Sequence, residues 1–150
     1  MLNPPQASNG DPNRVEGEHF ILHRKGIEFQ AKVDGVGKFS GKGKLILTTC
    51  RLVLINENKN KGGCNAFDLP YANTYREKFQ QPIFGSNYWE GKCKPLYNSL
   101  PNDAEFKIWF TEGGCQAFLN MVRYNMKVIR ENKKTQQQLA QEFSSQKFQQ

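Results

Sequence analysis

The chain has 150 residues, 37% of them apolar and 23% charged, which suits one domain able to bury a core without disulfide or metal staples. Lysine and arginine number 21 against 14 acidic residues, a surplus of +7 that leaves acidic lipid headgroups, nucleic acid and acidic protein surfaces open as partners. No run approaches the ~18 apolar residues of a membrane span, and Met1 to Arg14 lacks the apolar stretch of a signal peptide, so the expected place is cytoplasmic, nuclear or peripheral to a membrane.

Residues 1–16 hold Pro4, Pro5, Pro12, Gly10 and several Asn, with little that is apolar, and read as a disordered leader. A domain is expected over 17–134. Ile27, Phe29, Ala31 and Val33 alternate with Glu28, Gln30 and Lys32, the period of a strand with one buried face, which Asp34-Gly35-Val36-Gly37 breaks. Gly43 to Thr49 and Arg51 to Asn56 form a hairpin, its second arm carrying the continuous apolar run Leu52-Val53-Leu54-Ile55. Short strands follow at Ala66–Leu69, stopped by Pro70, at Thr74–Phe79, with Tyr75 and Phe79 expected on one face, and at Tyr88–Lys94, with Gly91 as a weak point. Phe106, Ile108 and Phe110 mark the last strand.

After Thr111 the apolar period changes from 2 to 3.6. Cys115, Phe118, Leu119, Val122, Met126 and Ile129 lie on one helix face, with the start expected at Thr111 or Glu112. Residues 135–150 are rich in glutamine and are expected to fray, as a helical or disordered tail. The expected fold is mainly β: antiparallel strands curled into a barrel and closed by one C-terminal helix.

Three segments carry a family resemblance. Gly43-Lys44-Leu45-Ile46-Leu47-Thr48-Thr49-Cys50-Arg51-Leu52-Val53-Leu54 resembles the hairpin of GRAM domains. Gln81-Pro82-Ile83-Phe84-Gly85-Ser86-Asn87-Tyr88 resembles a segment of the WW domain-binding protein 2 family, and Phe110-Thr111-x-Gly113-Gly114 with Phe118 matches that family's strand-to-helix junction. The resemblance implies a pleckstrin-homology-like (PH-like) barrel of about seven strands with a C-terminal helix. It also implies a non-catalytic interaction module linked to adaptors and transcription coactivation. The family's Pro-Pro-x-Tyr tail motif is missing here, since Pro4-Pro5 is followed by Gln6-Ala7, so no WW-domain ligand is expected.

Two basic features stand out as binding candidates. Lys38, Lys42 and Lys44, with Arg51 across the hairpin, cluster among glycines where PH-like folds take inositol phosphates; the bland alternative is a solvated strand edge kept soluble by lysines. Arg123, Lys127, Arg130 and Lys134 follow spacings of one helix stripe beside the apolar one, fit for an acidic partner or membrane surface, or else simply solvated cations near a helix end. Cys50, Cys64, Cys93 and Cys115 make no Cys-x-x-Cys pair, and His19 and His23 lack neighbouring ligands, so buried reduced thiols are expected, and no metal or cofactor. With no Gly-x-Ser-x-Gly elbow and no cysteine paired to a histidine, the chain reads as a binding module and not an enzyme. A protein partner comes first, anionic phospholipid second; nucleic acid is expected only indirectly.

Overall fold

The structure, a computed structural model, describes residues 1–58, 61–96 and 99–148, those from 133 on by their backbone alone. Seven strands follow in order: β1 (Phe20–Val33), β2 (Gly37–Thr48), β3 (Arg51–Asn56), β4 (Ala66–Pro70), β5 (Thr74–Gln80), β6 (Tyr88–Cys93) and β7 (Ala104–Phe110). One helix, α1 (Cys115–Phe148), completes the chain. All neighbours are antiparallel, in the sheet order β4-β3-β2-β1-β7-β6-β5. The sheet therefore curls into a half-barrel with β4 and β5 as its two free edges.

Alternation decides what fills it. Phe29 and Ala31 of β1, Leu45 and Leu47 of β2, Leu52 and Leu54 of β3 and Phe106 and Ile108 of β7 point into one core. The apolar stripe of α1 closes the open side: Phe118, Leu119, Val122 and Met126 are buried, and Phe118 sits 4.9 Å from the Phe110 ring and 5.7 Å from the Trp89 ring. The helix starts at Cys115, later than Thr111 or Glu112, because Gly113 and Gly114 both take left-handed backbone (φ +76° and +73°) and turn the chain before the first helical residue. Its helical backbone continues through the glutamine-rich segment to Phe148.

Three expectations change. β2 begins at Gly37, not Gly43, so the first hairpin is longer than the apolar pattern marks. Tyr75 and Phe79 do not share a face. A bulge between Tyr75 and Lys78, with Arg76 at φ +54°, adds one residue to β5; Tyr75 then pairs with outward Lys92 while Phe79 pairs with buried Trp89.

The third change concerns residues 1–16. Leu2 bridges Phe67, and the Asn3 amide donates to the Ala66 carbonyl at 2.8 Å, so the start of the chain lines the free edge of β4. The stretch to Glu18 then crosses the outer face of β2 and β3, pinned by Asp11 to Lys44 at 3.0 Å and by Asn13 and Glu18 to Arg51. That outer face is itself apolar: Ile46, Val53, Ile55 and Ala66 form a second buried cluster with Phe20 against it. The continuous run Leu52-Val53-Leu54-Ile55 reflects a strand covered on both faces.

Candidate functional site

The four cations read together around the first hairpin are not brought together. Lys38 sits at the start of β2, exposed, opposite Lys32. Lys42 pairs with Glu28 at 3.4 Å, and Lys44 pairs with Asp11. Arg51 lies beyond the far end of β2, about 30 Å from Lys38 at the ~3.3 Å rise of a strand.

Arg51 is only 8% exposed and makes four hydrogen bonds within the chain. Its guanidinium donates to Glu18 Oε2 at 2.8 Å and Oε1 at 3.1 Å, to Asp68 Oδ2 at 2.9 Å and to the Asn13 carbonyl at 2.7 Å. Asp68 also meets the Met1 amino group. Burial works against a charged Glu18, yet hydrogen bonds from Arg51, Cys50, Thr48 and the Val15 amide outweigh it and hold its pKa down to about 2. This is a structural clamp between the start of the chain and the β2–β3 turn, with four of the five guanidinium N–H groups engaged within the chain. Burial, and then a hydrogen bond to Glu18, push the Cys50 thiol up to about 11, which disfavours the nucleophilic thiolate.

The helix stripe behaves differently. Arg123, Lys127 and Arg130 line one wall of a groove of ≈ 480 Å³ between α1 and β5–β6. Phe79, Trp89 and Met126 supply its apolar lining, and Glu77 faces Arg130. Arg130 also donates to the Thr74 carbonyl at 3.3 Å, tying the helix to the start of β5. Arg123 and Lys127 are exposed and make no ion pair among the described residues. The Lys134 side chain lies outside the described residues. One side of the groove is β5, a sheet edge whose outer side has no strand partner among the described residues.

The sequence reading found the cations but not Glu77, Phe79 and Trp89 opposite them. Only the 3.6-residue spacing of the basic stripe hinted that something faced it. Among the described residues no group of three His, Cys, Asp or Glu side chains is placed to hold a metal ion, and no helix is long and apolar enough to cross a membrane.

No family model matches the chain. It is 41% identical over 81 residues to a UPF0664 stress-induced protein of Schizosaccharomyces pombe, a match spanning 52% of this chain and 45% of that protein. It is 26% identical over 111 residues to the postacrosomal sheath WW domain-binding protein of Macaca fascicularis and 25% to that of Homo sapiens. Those matches take in 71% of this chain but 44% and 36% of the relatives, so the chain spans less than half the length of each. Among solved structures the Vps36 N-terminal PH domain superposes with a TM-score of 0.66 at 17% identity, over 86% of this chain and 94% of that one. The fold is PH-like.

Proposed function

We propose that the chain is a non-catalytic protein-interaction module of the GRAM type, an adaptor or structural subunit that holds an acidic, partly apolar segment of its partner in the groove between α1 and β5. One observation carries this reading: two cations without ion-pair partners among the described residues, Arg123 and Lys127, stand over an apolar lining of Phe79, Trp89 and Met126 beside an unpaired strand edge. An edge strand offers backbone hydrogen bonds to an added segment, apolar pockets hold its side chains, and cations choose acidic neighbours. The length of α1 agrees. At ~1.5 Å per residue its 34 residues extend about 50 Å, and among its described side chains the last buried one is Met126.

The PH-like fold and the similarity to WW domain-binding proteins are consistent with a binding module. WW binding itself is not carried over, since Gln6-Ala7 follows Pro4-Pro5. Anionic-lipid binding through the first hairpin loses support, because Lys44 and Arg51 are engaged in ion pairs and Lys42 faces Glu28. A coactivator-like nuclear role rests on the family resemblance alone.

The test is quantitative affinity capture with the whole chain, in parallel with the Arg123→Glu/Lys127→Glu variant. Specific partners should fall roughly tenfold with the variant and with raised salt. Equal recovery with both proteins would remove the groove from consideration.

A further inference from the structure

The loop between β5 and β6 ends in a bare apolar tip. Ile83 is 94% exposed and Phe84 is 90% exposed, the two most exposed large apolar residues described. They follow Pro82 and precede Gly85, which takes φ +95° to reverse the chain. The base of the loop is fixed while the tip is free. The Phe110 amide donates to the Asn87 carbonyl at 3.0 Å, the Asn87 amide nitrogen lies 3.8 Å from Cys115 Sγ, and Gln80 bonds Glu90 at 3.2 Å. Among the described residues nothing buries this apolar pair on its anchored hairpin.

What surrounds the tip indicates the occupant. Directly at its base, Tyr88 and Trp109 pair on the outer sheet face with ring centroids 6.0 Å apart, both half-buried, and Lys107 lies 5.4 Å over the Tyr88 ring. The β1 bulge at Arg24, Lys25 and Gly26 comes to the same end: the Gly26 carbonyl accepts from Thr111, and Arg24 reaches the Gly113 carbonyl at 3.4 Å. Exposed Lys78 lies two residues before the end of β5; the acids near this end include Glu112, Glu90 and Glu28, which stands opposite Trp109 and pairs with Lys42. An apolar point, then tyrosine and tryptophan, then cations, is the layering of a bilayer surface from acyl chain through interface to headgroup.

We propose that the Ile83–Phe84 tip inserts into the surface of an anionic lipid bilayer, with Tyr88 and Trp109 at the interface and Lys25, Arg24 and Lys78 over the headgroups. This membrane contact is separate from both the α1–β5 groove and the first hairpin. It orients the chain with the β5–β6 end toward the lipid.

The experiment is co-sedimentation of the whole chain with vesicles of phosphatidylcholine, with and without phosphatidylserine. Wild type should bind the phosphatidylserine vesicles in a salt-sensitive way. Ile83→Ser/Phe84→Ser should lower the bound-to-free ratio tenfold or more, because each side chain contributes roughly that factor when buried. Since both residues are exposed, its melting curve should match wild type, and Phe84→Leu should retain binding. In a Phe84→Trp variant, lipids brominated in the acyl chain should quench fluorescence beyond the level seen with wild type. Equal vesicle binding by the double-serine variant, or no added quenching, overturns the proposal. So does loss of binding on Lys38→Ala/Lys42→Ala with the serine variant unaffected, which would assign the contact to the first hairpin. Absence of vesicle binding by wild type, with a protein partner lost on Ile83→Ser/Phe84→Ser, shows instead that the tip fills a protein pocket, and also overturns it.

Discussion

Replacing Arg51 by alanine separates a structural cation from a lipid-binding one. In the folded chain its guanidinium holds Glu18 at 2.8 Å and Asp68 at 2.9 Å, and both carboxylates are buried. Removing the cation leaves two buried acids with much of their compensation gone. Breaking a buried ion pair from one side costs about 3–5 kcal/mol, and at ~2–4 °C per kcal/mol for a chain of this length the melting temperature should fall by roughly 6–20 °C. Thermal unfolding by circular dichroism at neutral pH reads this directly.

The pH dependence has a definite sign. Glu18 has a folded pKa of about 2 against an ordinary 4.5, so its contribution is present above the ordinary value and lost as pH falls through about 2. The gap between wild type and Arg51→Ala should therefore narrow as pH drops from about 6 toward 3, because the wild type loses what the variant already lacks. A double replacement, Glu18→Leu/Arg51→Met, removes the Glu18–Arg51 charges together, leaves Asp68 with the Met1 amino group, and should cost less than Arg51→Ala alone. If Arg51→Ala melts within about 1 kcal/mol of wild type, the clamp reasoning is refuted.

The motif glycine Gly43 has a packing reason. A Cβ there would lie 2.2 Å from the Ile55 carbonyl oxygen across the β2–β3 ladder, a backbone atom that cannot move aside, so Gly43→Ala should destabilise by about 1–3 kcal/mol in urea unfolding. Thiol labelling should be ordered by burial: Cys93, whose burial pushes its pKa up to about 12, and Cys64, raised for the same reason, should resist modification in the folded state and react on unfolding. Labelling of Cys93 at the rate of an exposed thiol in the native chain would contradict its place in the core.

Much of the fold was legible because it depends on neighbours in sequence. The alternation of Ile27, Phe29, Ala31 and Val33 and the shift at Cys115 to a 3.6-residue period reflect local geometry, in which successive side chains either change sides or wind round an axis. The groove was half legible. Arg123, Lys127 and Arg130 announced themselves by spacing on one helix, whereas Glu77 lies on a bulged strand whose parity is broken by the inserted residue.

Sequence by itself thus determined the strand segments, the single closing helix and the basic stripe, since each follows from short-range periodicity. Tertiary structure alone placed Arg51 in a clamp, because its carboxylate partners stand 33 residues before and 17 after it. It also decided that residues 1–16, poor in apolar groups, are pinned over β2–β4: their order comes from ion pairs and edge hydrogen bonds that no local pattern records. The exposure of Ile83 and Phe84 belongs to the same class, for an apolar pair declares itself unburied only when the rest of the chain has folded and left it outside.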